Sequence, residues 1–218
     1  AKNGDVVVVS INHRLNILGF LDLSAYGEKY KESANLSILD MKVALEWVKA
    51  NIVNFGGDPN NVTIFGQSGG GAKVNTLMAM PSAKGLFHKA INQSGAMRSG
   101  ILEKETTQAI AAEVMKELNI SPENVDEIQN VSFEKLSAAG SKALRIVSKQ
   151  LEDAGTPVRG FGLSWGPSVD GNVLPYQFNS KESSELSKNI PLMIGTTKNE
   201  FAVFRGAVPP NSTEEEVK

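Results

Sequence analysis

With 218 residues, 41% of them hydrophobic and 21% charged, the chain has the composition of a globular protein able to bury a sizeable core. A net charge of -2 argues against a nucleic-acid surface, and no segment approaches the ~18 apolar residues that span a bilayer. Cysteine is absent, which excludes disulfides and thiolate metal sites.

The chain opens AKNGDVVVVSINHRL, with neither an initiator methionine nor a signal-peptide pattern, and closes on the polar NSTEEEVK. Both ends read as cuts, so an interior piece of a longer protein is expected and localisation is not legible. VVVVSIN (6–12) is a continuous apolar run of the kind that forms a strand buried on both faces of a parallel sheet. A helix is expected at about 37–55, with Ser37 as cap, Asp40 completing a capping box and Gly56-Gly57 ending it. Ile38, Met41, Leu45, Val48, Ile52 and Phe55 recur at three- and four-residue steps, predicting one buried face.

VTIF (62–65) reads as a second strand, followed by a glycine-flanked serine and a helix from about 70 to 80. KAINQSG (89–95) is the next strand-like stretch. Strands alternating with helices through short loops imply an α/β fold with a mostly parallel central sheet flanked by helices. From about 102 to 153 only helical periodicity remains. Ile110, Val114 and Leu118 share a face there, and Ser121-Pro122 restarts a helix. This stretch is expected to be a helical excursion rather than a second domain. PLMIGTT (191–197) returns as an apolar strand ending at Lys198-Asn199-Glu200.

The chemistry concentrates in Gly66-Gln67-Ser68-Gly69-Gly70, which fits G-x-S-x-G between a strand and a helix. A sharp strand-to-helix turn holds such a serine in a strained conformation, and Gly66 and Gly70 are expected to relieve crowding on either side. The Gly69 N–H, at a helix start, then points where an oxyanion would form. A phosphate-binding loop is the sharpest rival, since Gly66 and Gly71 have its spacing. It requires lysine then Ser or Thr at 72 and 73, where Ala72 and Lys73 stand. The dinucleotide fingerprint lacks its third glycine. A nucleophilic serine needs a base, and the chain holds only His13 and His88.

Several longer segments carry a resemblance. NHRLNILGFL (12–21), ANLSILDMKVALEWVKANIVNFGGDPNNVTIFGQSGGGAKV (34–74), GLFHKAINQSGA (85–96), WGPSVDGNVLP (165–175) and IGTTKNEF (194–201) occur in that order. Together they resemble the type-B carboxylesterase/lipase family of α/β-hydrolases. The resemblance implies that residues 1–218 form the central portion of a single catalytic domain with the α/β-hydrolase fold. It also implies a serine carboxylic-ester hydrolase acting on a small-molecule ester, with no metal and no cofactor. The triad implied is Ser, Glu, His in chain order: Ser68 matches the nucleophile, and Glu200, 132 residues on (200 − 68), matches the acid. Neither histidine matches the base, which is expected beyond Lys218, and further oxyanion glycines are expected before Ala1; the piece alone is expected to be inactive.

Other positions follow from the same resemblance. Arg14 and Asp40 match a buried structural ion pair, Asp170 a turn residue near the pocket, and Trp165 either a pocket wall or a core residue. Ser94 is expected to be a buried hydroxyl bonded to its neighbours. Gln67 stands where many members have Glu, which makes a preference for cationic choline esters less expected. Gly69 stands where Ala is commoner. A non-catalytic adhesion or binding protein of this fold, and another acyl hydrolase such as an amidase or thioesterase, are the alternatives. Oligomeric state is not legible.

Overall fold

The computed structural model describes residues 3–95, 100–156, 162–198 and 200. Its elements run α1 (Ile17–Phe20), α2 (Leu36–Asn51), β1 (Thr63–Gln67), α3 (Gly69–Met78), β2 (Lys89–Gln93), β3 (Leu102–Glu103), α4 (Lys104–Glu117), α5 (Phe133–Asp153), β4 (Ser168–Val169), α6 (Lys181–Ser187) and β5 (Leu192–Gly195). Strands β1, β2 and β5 form a parallel sheet in that order, with Phe65, Ile91 and Met193 in register. Parallel neighbours require a crossover, which α3 supplies between β1 and β2. Strands β3 and β4 form a separate parallel pair.

Two apolar clusters hold these elements. The first joins Ile38, Met41 and Leu45 of α2 to Val74 and Leu77 of α3 and to Ile64 and Ala90 on one sheet face. The second joins Ile110 and Val114 of α4 to Leu136, Ala139 and Val147 of α5, with Ile17 of α1. Trp165 is half-buried and packs against both clusters. The expected excursion between 102 and 153 is therefore built on two packed helices, α4 and α5, with their own buried seam. Pro122–Asn130 between them is 3-10 helix, begun by Ser121 and by Pro122 at the first position. The opposite face of the sheet carries Phe65 and Met193, 61% and 68% exposed.

Four expectations need correction. Residues 6–12 form no strand: Val6, Val7, Val8, Val9 and Ile11 are exposed and line a cleft of about 1240 Å³ beside Val62, Phe65 and Val48. Apolar composition supplies a reason to be buried but not a ladder partner, and the free edge of β1 is not hydrogen-bonded to this segment among the described residues.

The cap of α2 also differs. Asn35 stands at the N-cap without capping through its side chain. Its amide instead donates to the Ser168 carbonyl (2.9 Å) and to Asp170 Oδ2 (2.8 Å). Ser37 Oγ lies 2.9 Å from His13 Nδ1, and Asp40 binds Arg14, so distant partners occupy every group of the expected capping box.

The helix itself ends at Asn51 and continues as 3-10 helix over Ile52–Phe55, closing on Gly56 at φ 80°. Phe55 is 59% exposed rather than on the buried face; its ring lies 5.8 Å from that of Trp47. Arg14 and Asp40 are paired, but at the surface rather than buried. Nη2 donates to Oδ1 at 2.6 Å and Nε to Oδ2 at 2.9 Å, with side chains 46% and 25% exposed. The Arg14 hydrogen bond is the main cause holding the Asp40 carboxyl below its ordinary range.

A candidate active site at the carboxyl edge of the sheet

Parallel strands put all their carboxyl ends on one edge, and the candidate residues collect there. Ser68 follows β1 directly and Ser94 follows β2. Their N–H groups continue the ladder one step beyond the strands, Ser68 to the Gln93 carbonyl and Ser94 to the Gly195 carbonyl, both at 2.8 Å. Glu200 lies just past β5. The order of the three along the edge is thus Ser68, Ser94, Glu200.

Ser68 is exposed and sits at φ 53°, ψ -118°, a backbone region that side chains strongly disfavour. It is the N-cap of α3, and Gly69 opens that helix, so the first-turn N–H groups have no carbonyl of their own helix to bind. The turn is sharp enough that a Cβ on Gly66 would stand 2.4 Å from the carbonyl carbon of Gly70. Glycine at 66 is therefore a steric requirement. Gly70 is not its mirror image: a Cβ there meets nothing within 4 Å. The second close approach is instead at Gly71, whose Cβ would lie 2.4 Å from Asn92 Oδ1. Gln67 ends β1 opposite Gln93 and faces solvent.

Glu200 accepts from the Thr197 N–H at 2.9 Å. Its carboxyl is held below the ordinary range chiefly by the Ser94 hydroxyl and then by that N–H. Ser94 is half-buried, with φ 55°. Ser94 and Glu200 thus belong to neighbouring strand ends of the sheet. A signal for this pairing stands in the sequence, because Gln67-Ser68-Gly69 and Gln93-Ser94-Gly95 are the same tripeptide at adjacent strand ends, each serine at positive φ.

Both histidines are engaged elsewhere. His13 Nδ1 lies against Ser37 Oγ and the Arg14 carbonyl, and His88 Nδ1 accepts from the Val62 N–H at 3.2 Å. His88 precedes β2, whereas Ser68 and Ser94 follow their strands, so it occupies the opposite edge of the sheet. Asp170 is buried and organises a turn, its Oδ1 accepting from the N–H groups of Asn172 and Leu174. Among the described residues no group of three or more His, Asp or Glu side chains is placed to hold a metal ion, and no helix is long and apolar enough to cross a membrane.

A family model described as the carboxylesterase family matches residues 1–218. The para-nitrobenzyl esterase of Bacillus subtilis (strain 168) is 41% identical over 204 residues, covering 94% of this chain and 39% of that protein. Neuroligin-2 of Mus musculus is 33% identical over 208 residues, covering 94% of this chain and 23% of its own length. The crystal structure of a Geobacillus stearothermophilus carboxylesterase at pH 6.2 matches with a TM-score of 0.77 at 40% identity, covering 93% of this chain and 39% of that one. The chain thus spans less than half the length of these relatives, and the fold they share with it is that of the α/β-hydrolases.

Proposed function

The chain belongs to the carboxylesterase family, and from that premise we propose that the protein is a serine hydrolase of small carboxylic esters. The observation that carries the proposal is Ser68, exposed at φ 53° between β1 and the glycine-initiated α3, on the sheet edge it shares with Glu200.

Ser68 Oγ attacks the ester carbonyl carbon, and its proton passes to a histidine that we place outside these 218 residues. The carbonyl oxygen becomes an oxyanion that accepts from the Gly69 N–H, a donor of a type worth roughly 3 kcal/mol in the transition state. Collapse expels the alkoxide, which takes the proton from the imidazolium, and leaves an acyl group on Ser68. Water repeats the sequence, giving the carboxylic acid and free Ser68. Glu200 orients the histidine and stabilises its charged form. These steps require neither metal nor cofactor.

The test labels the full-length protein with a fluorophosphonate and assays a short p-nitrophenyl ester, with Ser68→Ala alongside. Labelling and turnover that vanish in Ser68→Ala support the proposal. Equal labelling of both proteins removes Ser68 as nucleophile, and a folded parent that neither labels nor turns over points to a non-catalytic binding protein.

A further inference from the structure

Asn92 is the next-to-last residue of the sheet's middle strand, carries no reacting group, and is completely buried. A buried amide must satisfy its donors and acceptor, and all the partners it finds belong to the two serine turns. Nδ2 donates to the Gly71 carbonyl at 3.0 Å and to Asn75 Oδ1 at 2.7 Å, both in α3. Oδ1 accepts from the Gly95 N–H at 2.9 Å, immediately after Ser94. Asn75 closes the ring, its own Nδ2 lying 3.5 Å from the Gly95 carbonyl.

The backbones being joined are in contact. A Cβ on Gly95 would stand 2.4 Å from Gly71 Cα, and one on Gly71 would stand 2.4 Å from Asn92 Oδ1. No side chain fits between the helix that begins at Ser68 and the turn that carries Ser94. Their separation is fixed by glycine contact and by one amide bridging them.

We propose that Asn92 is a positioning residue that sets the nucleophile turn of Ser68 against the neighbouring strand end of Ser94, on the side of the sheet edge where Glu200 lies, through its bonds to Gly71, Asn75 and Gly95. This rests on the reading of Ser68 as nucleophile. Ground-state binding of an ester does not depend on that spacing, whereas proton transfer from Ser68 to a base oriented by Glu200 does. Displacements near 1 Å cost on the order of a hundredfold in rate.

The test compares full-length parent, Asn92→Leu and Asn75→Ala for fluorophosphonate labelling rate, for kcat and KM on a p-nitrophenyl ester, and for thermal midpoint. The expected result for Asn92→Leu is a fall in kcat and in labelling rate of about a hundredfold, with KM within about twofold. Asn75→Ala removes two bonds of the ring from a half-buried helix position and is expected to lower both rates by about fivefold while the protein stays folded. If Asn92→Leu does not fold, Asn75→Ala decides alone. A folded Asn92→Leu, or in its absence Asn75→Ala, with parental kcat and labelling rate overturns the positioning role and leaves Ser68 untouched. A parent whose label survives Ser68→Ala overturns the nucleophile reading and this one with it.

Discussion

Ser94, at the end of β2, and Glu200, just past β5, stand at neighbouring strand ends of the sheet, and the Ser94 hydroxyl is the largest cause of the Glu200 carboxyl's depression below its ordinary value of 4.5. A carboxyl whose folded value lies below its unfolded one stabilises the fold above the unfolded value, and the contribution disappears as pH falls through the folded value. Ser94→Gly removes the hydroxyl while suiting φ 55° better than serine does. In the variant, Glu200 is expected to titrate at higher pH than in the parent, followed by carboxyl carbon chemical shifts. An identical titration in both proteins would show that the Ser94 hydroxyl does not hold the acid. The variant should also be less stable than the parent near neutral pH, with the deficit disappearing as pH falls through the folded value.

The glycines around Ser68 are not equivalent. Gly66→Ala forces a Cβ to within 2.4 Å of the Gly70 backbone and is expected to destabilise by about 1–3 kcal/mol, as overpacking does. At Gly69 an added Cβ meets only Lys73 Nζ, at 3.8 Å, and at Gly70 it meets nothing. Alanine at either is expected to raise stability by up to about 1 kcal/mol, because the unfolded chain loses freedom. Urea unfolding separates the cases, and a Gly66→Ala protein as stable as Gly70→Ala would contradict the turn geometry.

The parts of the fold legible in the sequence are those decided by neighbours in the chain. The three- and four-residue apolar steps through Ile38, Met41, Leu45 and Val48 mark the buried face of α2, and the strand, glycine-flanked serine and helix at 62–78 follow one another as the local pattern implies. The capping box failed because Asn35, Ser37 and Asp40 each find a stronger partner far along the chain. Val6–Asn12 failed because a strand needs a neighbour to pair with, and composition does not provide one. At the candidate site, Ser68 and Glu200 were legible from motif and resemblance. The role of Asn92 and the placing of Ser94 beside Glu200 were not, since they depend on which strand ends the sheet sets side by side. The repeated Gln-Ser-Gly was the available clue.

The core of α2 offers a direct contrast in packing. Ile38 is fully buried between sheet and helices, and Ile38→Ala is expected to cost about 2–5 kcal/mol through lost burial and the cavity left behind. Val43, on the same helix, is 59% exposed, and Val43→Ala should change stability by no more than about 0.5 kcal/mol. Denaturant midpoints measured on the two variants check both values; comparable losses would mean that the α2 face is assigned to the wrong side.

The two histidines supply the sharpest test of where the base resides. The five residues of β2 separate His88 from Ser94, six steps of ~3.3 Å, which puts it roughly 20 Å from the edge that carries Ser68. Its Nδ1 also accepts the Val62 N–H, a bond that a catalytic imidazole at that position would have to surrender. His13 is committed to Ser37 and Arg14 beside α2. In the full-length protein, His88→Gln and His13→Gln are therefore expected to keep fluorophosphonate labelling and ester turnover within about threefold of the parent. Structural losses of order 1 kcal/mol are expected instead, from the hydrogen bonds removed. Near-complete loss of labelling in a folded His13→Gln or His88→Gln protein would place the base within these residues and require the sheet edge to be rearranged around it.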